Sequence, residues 1–235
     1  MEKTNECKYF FGDDITSAYL KSLQKVVKDG YVFGLMTEVR KPIIDSDTLI
    51  DESLNLVGLN LDTIKHEKYK NFNFCGRSGA WWISNRIDEL FRGLYHRAIE
   101  NHNQLNFVQN ALKQIKMRKY TWCANRLLCV TFDAKNSHFS HLHLARQPIP
   151  PCLTTLDFKS ERKQLHLIAS WRAQYFDIKA YGNLISLAML LKEICKNVGL
   201  QPGHLISIAH KAILKNSKNA ERLINEFELK SLRTA

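Results

Sequence analysis

One cysteine stands behind three prolines in QPIPPCL, Gln147 to Leu153. Proline fixes φ and has no N–H, so this stretch is neither an interior helix nor a central strand. It reads as a stiff loop that delivers Cys152 to the start of a strand. A thiol held that way suits nucleophilic attack; the same geometry is also an ordinary way into a strand. Cys7, Cys75, Cys123, Cys129 and Cys195 have no such setting. No CxxC pair occurs, so a structural zinc site is not expected. A second cluster, HFSHLHLARQ, gathers His138, His141 and His143. It reads as a histidine-rich loop rather than a metal centre, and no metal is expected.

The formal charge is +11 over 235 residues. Such a surplus commonly meets phosphate, whether in a nucleotide, a nucleic acid or a polyanionic cofactor. No Lys/Arg block is long enough to be a nucleic-acid tail, so nucleic acid is not favoured. The hydrophobic share of 45% supports a sizeable core. No apolar run has the length of a membrane span. The start, MEKTNECKYF, lacks the apolar centre of a signal peptide. A cytoplasmic protein with reduced thiols is expected.

Several elements must position these residues. DITSAYLKSLQKVVKDG spaces apolar residues as a helix does, with Asp14 or Thr16 to cap it and Gly30 to stop it. SLNLVGLNL, 53–61, reads as a strand with a bulge at Gly58. Residues 84–99 and 104–117 read as amphipathic helices. RLLCVTF, 126–132, reads as a strand buried on both faces. CLTTLDF, 152–158, and QLHLIASW, 164–171, flank the polar turn KSERK as a hairpin. NLISLAMLLKEICKNVG, 183–199, is a helix apolar over most of its surface and belongs in a domain centre. HLISIAH is a short strand, and 218–231 a terminal helix. Strands and helices interleave without strict βαβ rhythm, and no repeat or linker breaks the chain. Residues 1–235 are expected to form one α+β domain.

From Cys152 to His210 the order of features is specific. A proline-preceded cysteine opens a hairpin; Arg172 follows it, and Asn183 begins a buried helix. That helix leads through GLQPG to a strand reaching His210. This order, read in PPC, WRAQY, YGN, LQPG and IAHKA, resembles the thymidylate synthase family, including its nucleotide hydroxymethylases. Upstream, YLKSLQKVVKDG is similar to the family's first helix, and ANRLLCVTFD to the strand that begins with its arginine pair. The resemblance implies the thymidylate synthase fold: a large mixed β-sheet packed against a long buried helix and flanking helices. It also implies a homodimer formed through the sheet.

The implied reaction is one-carbon transfer to C5 of a pyrimidine nucleoside monophosphate, a uridylate first of all. The implied donor is 5,10-methylenetetrahydrofolate. Cys152 is the implied nucleophile, and the attacking species must be its thiolate. Arg172 is the implied phosphate ligand, since a guanidinium binds phosphate in bidentate fashion. Arg126 is the arginine implied to reach across the dimer, and Arg40 a looser phosphate candidate. Asn183 is implied to read the O4/N3 edge of the base, an edge its amide can match; an asparagine there can also cap the helix. His210 is implied to lie near the sugar. Glu67 is the candidate for organising proton transfers.

The chain also departs from the family pattern. Ala173 stands for the family serine, Tyr175 for the aspartate, and Ala212 for the tyrosine after His210. Cys75 precedes Gly76 where the family has Tyr-Gly. The tryptophan segment that guards hydride transfer has no clear copy, although Trp81 and Trp82 are nearby candidates. That loss tilts the expected product toward hydroxymethyl over methyl. The rival reading is a catalytically degenerate relative that binds a nucleotide or nucleic acid.

Overall fold

A computed structural model of the chain describes residues 8–43, 103–116, 127–130, 152–218 and 220–225. The chain opens with β1 (Tyr9–Gly12), α1 (Ile15–Asp29) and β2 (Tyr31–Val39). After these come α2 (Gln104–Lys116), β3 (Leu128–Val130), β4 (Leu153–Glu161) and β5 (Gln164–Trp171). Then follow β6 (Gln174–Tyr175), a π-helical turn (Phe176–Ala180), α3 (Tyr181–Val198) and β7 (Gln201–Ile213). Residues 217–218 and 220–225 are also helical, within the terminal helix read from sequence.

The strands form one mixed sheet in the order β1-β2-β7-β5-β4-β3, with β6 also pairing β7. Leu35, Val39, Leu156, Phe158, Leu167, Ala169, Leu205 and Ala209 are buried along it. Helix α1 rests on β1 and β2, and α3 rests on β5 and β7; α1 and α2 both touch α3. The α+β architecture, with a mixed sheet and packed helices, agrees with the sequence reading.

Helix α1 begins where its sequence says. Asp14 Oδ1 accepts from the Ser17 N–H at 2.7 Å, so Asp14 and not Thr16 is the cap. Thr16 is buried and bonds the Tyr181 hydroxyl at 2.9 Å. Helix α3 is buried almost all round, through Leu184, Ile185, Leu187, Leu190, Leu191 and Ile194. It ends at Gly199, whose φ of 70° is a left-handed stop that costs glycine nothing. It begins earlier than expected, because the π-helical turn leads directly into Tyr181. Asn183 therefore lies inside the first turn of α3 and is not its cap.

The hairpin is β4–β5, with Glu161 paired to Gln164. Its turn is only Arg162 and Lys163, with φ of 47° and 72°. Two positive φ values match the right-handed twist of the strands they join. Strand β3 differs from expectation. Cys129 is fully buried, but Leu128 is 42% exposed, so the described part is buried on one face only. Strand β7 runs longer than HLISIAH at both ends, and Pro202 is tolerated because it sits beside the strand's first residue. The strand read at 53–61, the helix read at 84–99 and the histidine-rich loop lie outside the described residues.

Candidate active site

Strand register brings three of the candidate residues into one row. A bulge between Leu153 and Thr155 shifts the β4–β5 ladder, so that Leu153 pairs Trp171. Cys152 then faces Arg172, whose N–H donates to the Cys152 carbonyl at 2.7 Å. The β5–β7 ladder holds one register from Leu167 opposite Leu205 to Trp171 opposite Ala209. The β6–β7 ladder resumes that register, with Gln174 opposite Ala212. Strand β6 thus continues the line of β5, and Arg172 stands level with His210. On the far side of β7, the β2 ladder puts Gly34 level with His210. Cys152, Arg172, His210 and Gly34 form a single row across the sheet. At about 4.8 Å per strand, Cys152 and His210 are about 10 Å apart along it.

The row is also a seam of irregularity. It holds or adjoins the β4 bulge, the break between β5 and β6, and the positive φ of Gly34, 69°. In β7 burial alternates regularly up to Ala209, then His210 and Lys211 are both exposed. Regular strands would send alternate side chains to opposite faces throughout. Arg172 and His210 follow the alternation of β5 and β7 onto the open face, and the β4 bulge turns Cys152 to that same face, so the three are exposed together. Bulges re-aim side chains in this way, often beside functional sites.

Asn183 is placed by a different device. The π-helical turn before α3 is pinned from three sides. The Tyr19 hydroxyl donates to the Phe176 carbonyl at 2.8 Å. Asp177, fully buried, accepts from the Lys215 and Asn216 N–H groups at 3.0 and 2.8 Å. The Thr16–Tyr181 bond ties the start of α3 to α1. Burial, then the charge of Asp177, pushes the Tyr19 phenol pKa far up, so it stays a neutral donor. These contacts fix the start of α3 and with it Asn183, which is 4% exposed. Neither Tyr19 nor Asp177 was singled out from sequence. Asp177 follows the position where a carboxylate was expected by two residues, the only sequence signal that could have found it.

Arg40 is not brought to this row. It follows Val39, which pairs Leu205, so it lies near the opposite end of β7. At about 3.3 Å per residue it stands about 20 Å from His210 along the strand. Its guanidinium lies over the Phe11 ring, 3.9 Å from the centroid, and 4.0 Å from Glu38. Glu38 is buried; it accepts from the Tyr9 hydroxyl and lies 2.6 Å from His204 Nδ1. The His204 N–H donates to His166 Nδ1 at 2.9 Å. Sequence reading passed over this cluster because β2 was not recognised as a strand. Glu67, Arg126, Trp81 and Trp82 lie outside the described residues.

The described thiols divide sharply. Cys129 and Cys195 are buried, and burial pushes both pKa values up to about 12. Cys152 is exposed. Among the described residues no group of three or more His, Cys, Asp or Glu side chains is placed to hold a metal. No described helix is long and apolar enough to cross a membrane. The arrangement therefore offers an accessible thiol, a guanidinium level with it, an imidazole in the next strand and a buried amide at a helix start.

No protein-family model matches the chain. A protein of Methanothermobacter marburgensis named "Putative thymidylate synthase" is 22% identical over 230 residues. The match covers 90% of this chain and 96% of that protein. The resemblance read from the motifs is thus borne out as a distant likeness along nearly the whole chain.

Proposed function

We propose that this chain transfers a one-carbon unit to C5 of a pyrimidine nucleoside monophosphate, the chemistry its distant relative's name implies. The observation that carries the reading is the row of Cys152, Arg172 and His210. The register of three strands and one bulge in β4 combine to expose a thiol, a guanidinium and an imidazole at one level. A core cysteine at a strand start needs none of this.

In this reading the Cys152 thiolate bonds to C6 of the base. The C5–C6 π electrons move to C5, with charge spread to O4. C5 then bonds the one-carbon unit of the donor and loses its proton as tetrahydrofolate leaves. The exocyclic methylene so formed takes water or hydride, and expulsion of the thiolate from C6 restores the C5–C6 double bond. Arg172 holds the phosphate, His210 lies by the sugar, and Asn183 matches O4 and N3–H of uracil. The donor, 5,10-methylenetetrahydrofolate, supplies carbon at the oxidation level of formaldehyde. The exposed rings of Tyr31 and Phe33 are described residues that fit such a flat, anionic molecule. Lys211 Nζ lies 5.8 and 5.7 Å from their centroids, next to His210 in β7. Capture of the new carbon by water gives a hydroxymethyl product with tetrahydrofolate released, the outcome favoured here; capture of hydride from the tetrahydrofolate, itself oxidised to dihydrofolate, gives methyl.

A homodimer is part of the proposal. Met36, Ile168, Ile206 and Ile208 lie in alternate rows of the sheet, on one face, and are only half-buried in the single chain. A second copy would cover them and bring Arg126 to its neighbour's site.

The test is release of tritium from 5-tritiated UMP, dUMP, CMP and dCMP, with and without the folate. Release with a uridylate supports the reading. Tight binding with no release from any of them would hand the case to the second reading, a binding protein without catalysis. What favours that rival is the departure at Ala173, Tyr175 and Ala212, where polar side chains of the family pattern are gone.

A further inference from the structure

Gln174 carries an unmet hydrogen-bonding demand. It is 4% exposed, and neither Nε2 nor Oε1 has a hydrogen-bond partner among the described residues. Leaving a buried polar group unsatisfied costs about 1–3 kcal/mol, and here both ends of one amide are left so. Folded chains keep few such groups, and each asks for an explanation. Its position gives one. Gln174 follows Arg172 by two residues, where β6 resumes the line of β5. Its ladder partner is Ala212, which follows His210 by two residues in β7. Ala212 presents only a methyl group there, which offers the glutamine amide no hydrogen bond. No hydrogen bond has to break for Gln174 to turn, so a change of rotamer toward a ligand is cheap.

We infer that Gln174 reads the sugar of the nucleotide, and that the sugar it fits carries two vicinal hydroxyls. The inference rests on the functional reading above. Arg172 there takes the phosphate and Asn183 the base, and Gln174 lies between them in the chain, beside the strand of His210. An amide presents one acceptor and one donor. One hydroxyl of a cis-diol donates to Oε1 while the other accepts from Nε2, so a ribonucleotide satisfies both orphaned atoms. A 2′-deoxyribonucleotide leaves one of them bare, and buried sites built for a hydroxyl reject ligands that lack it.

The test is calorimetric titration of the full chain and its Gln174→Met and Gln174→Leu variants with UMP and dUMP. The wild type is expected to bind UMP at least about tenfold more tightly than dUMP. In either variant the ratio should fall to near one, mainly through loss of UMP affinity. A merely structural glutamine would not move that ratio. Under either reading the unliganded variants should be as stable as the wild type or more so, because apolar replacement removes an unmet polar demand; the UMP-to-dUMP ratio is what separates the two. A wild type that prefers dUMP, or a ratio unchanged in the variants, overturns the inference while nucleotide binding itself stands. Failure of the wild type to bind either nucleotide overturns the functional reading and this inference with it.

Discussion

The Arg172 N–H donates to the Cys152 carbonyl at 2.7 Å, and the pairing exists because of a bulge. From Thr155 opposite Ser170 to Glu161 opposite Gln164 the hairpin is regular. Carried on without interruption, that register would set Leu153 against Arg172. The extra residue at Thr154 moves the cysteine into that place instead, and the Thr154 hydroxyl donates to the Ser170 carbonyl at 3.0 Å.

If Cys152 is the nucleophile, Cys152→Ser should abolish tritium release from C5. The side chain is exposed, so the fold should survive. Circular dichroism and release assays on the same sample decide it. A folded variant that releases tritium at the wild-type rate would remove the covalent mechanism.

Thiol chemistry gives an independent check. Native protein treated briefly with iodoacetamide near neutral pH should be alkylated at Cys152 well before Cys129 or Cys195. Those two are buried, with pKa values near 12, and the thiolate is the reactive form. Peptide mapping reads the order; equal labelling of all three would contradict the burial.

Phosphate recognition should show as a loss of about 1.5–3 kcal/mol in nucleotide affinity on Arg172→Ala, the usual worth of a hydrogen bond to a charged group. Nucleoside affinity should change little. Equal binding of nucleoside and nucleotide by the wild type would count against the assignment.

Tyr19→Phe keeps the ring packing against Phe176 and Tyr181 but removes the donor to the Phe176 carbonyl. Leaving that buried acceptor bare should cost about 1–3 kcal/mol of stability. Because the π-helical turn positions Asn183, preference for UMP over CMP should weaken too. Denaturant melts and paired titrations test both; destabilisation with unchanged base preference would show that the turn does not set Asn183.

Stability should fall on both sides of neutrality. Tyr19, Cys129 and Cys195 have pKa values raised by burial. Above about pH 9 the unfolded thiols therefore lose protons that the folded chain keeps, and stability declines. His166 is the opposite case. Burial, then His204, lowers its pKa below the ordinary 6.5, against the weaker pull of Glu161 and Glu38. As pH falls through 6.5 the unfolded histidine gains its proton first, so stability is lost toward acid. His166→Asn keeps an acceptor for the His204 N–H without the titration. Urea melts across pH should show a shallower acid limb in that variant; an identical limb would relieve His166 of this role.

The sequence by itself determined the elements whose signals are local. The cap at Asp14, the apolar spacing of α1, the greasy surface of α3 and the polar turn of the hairpin all depend on neighbours a few residues apart. The order Cys152, Arg172, Asn183, His210 was legible in the same way, as a motif along the chain. Strand β2 was not, because Gly34, a weak strand former at a positive φ, sits inside it and breaks the alternation that marks a strand. Nor was the early start of α3, which depends on Tyr19, Asp177 and Thr16 holding a π-helical turn from distant parts of the chain. The row itself belongs to the tertiary structure alone. Which residues stand level across a sheet is set by ladder register, and register here turns on one bulge in β4, since β6 keeps the register of β5. The same register sends Arg40 to the far end of β7 and lays the orphaned amide of Gln174 beside Ala212. Spacing along a chain carries no information about such pairings until the strands have met.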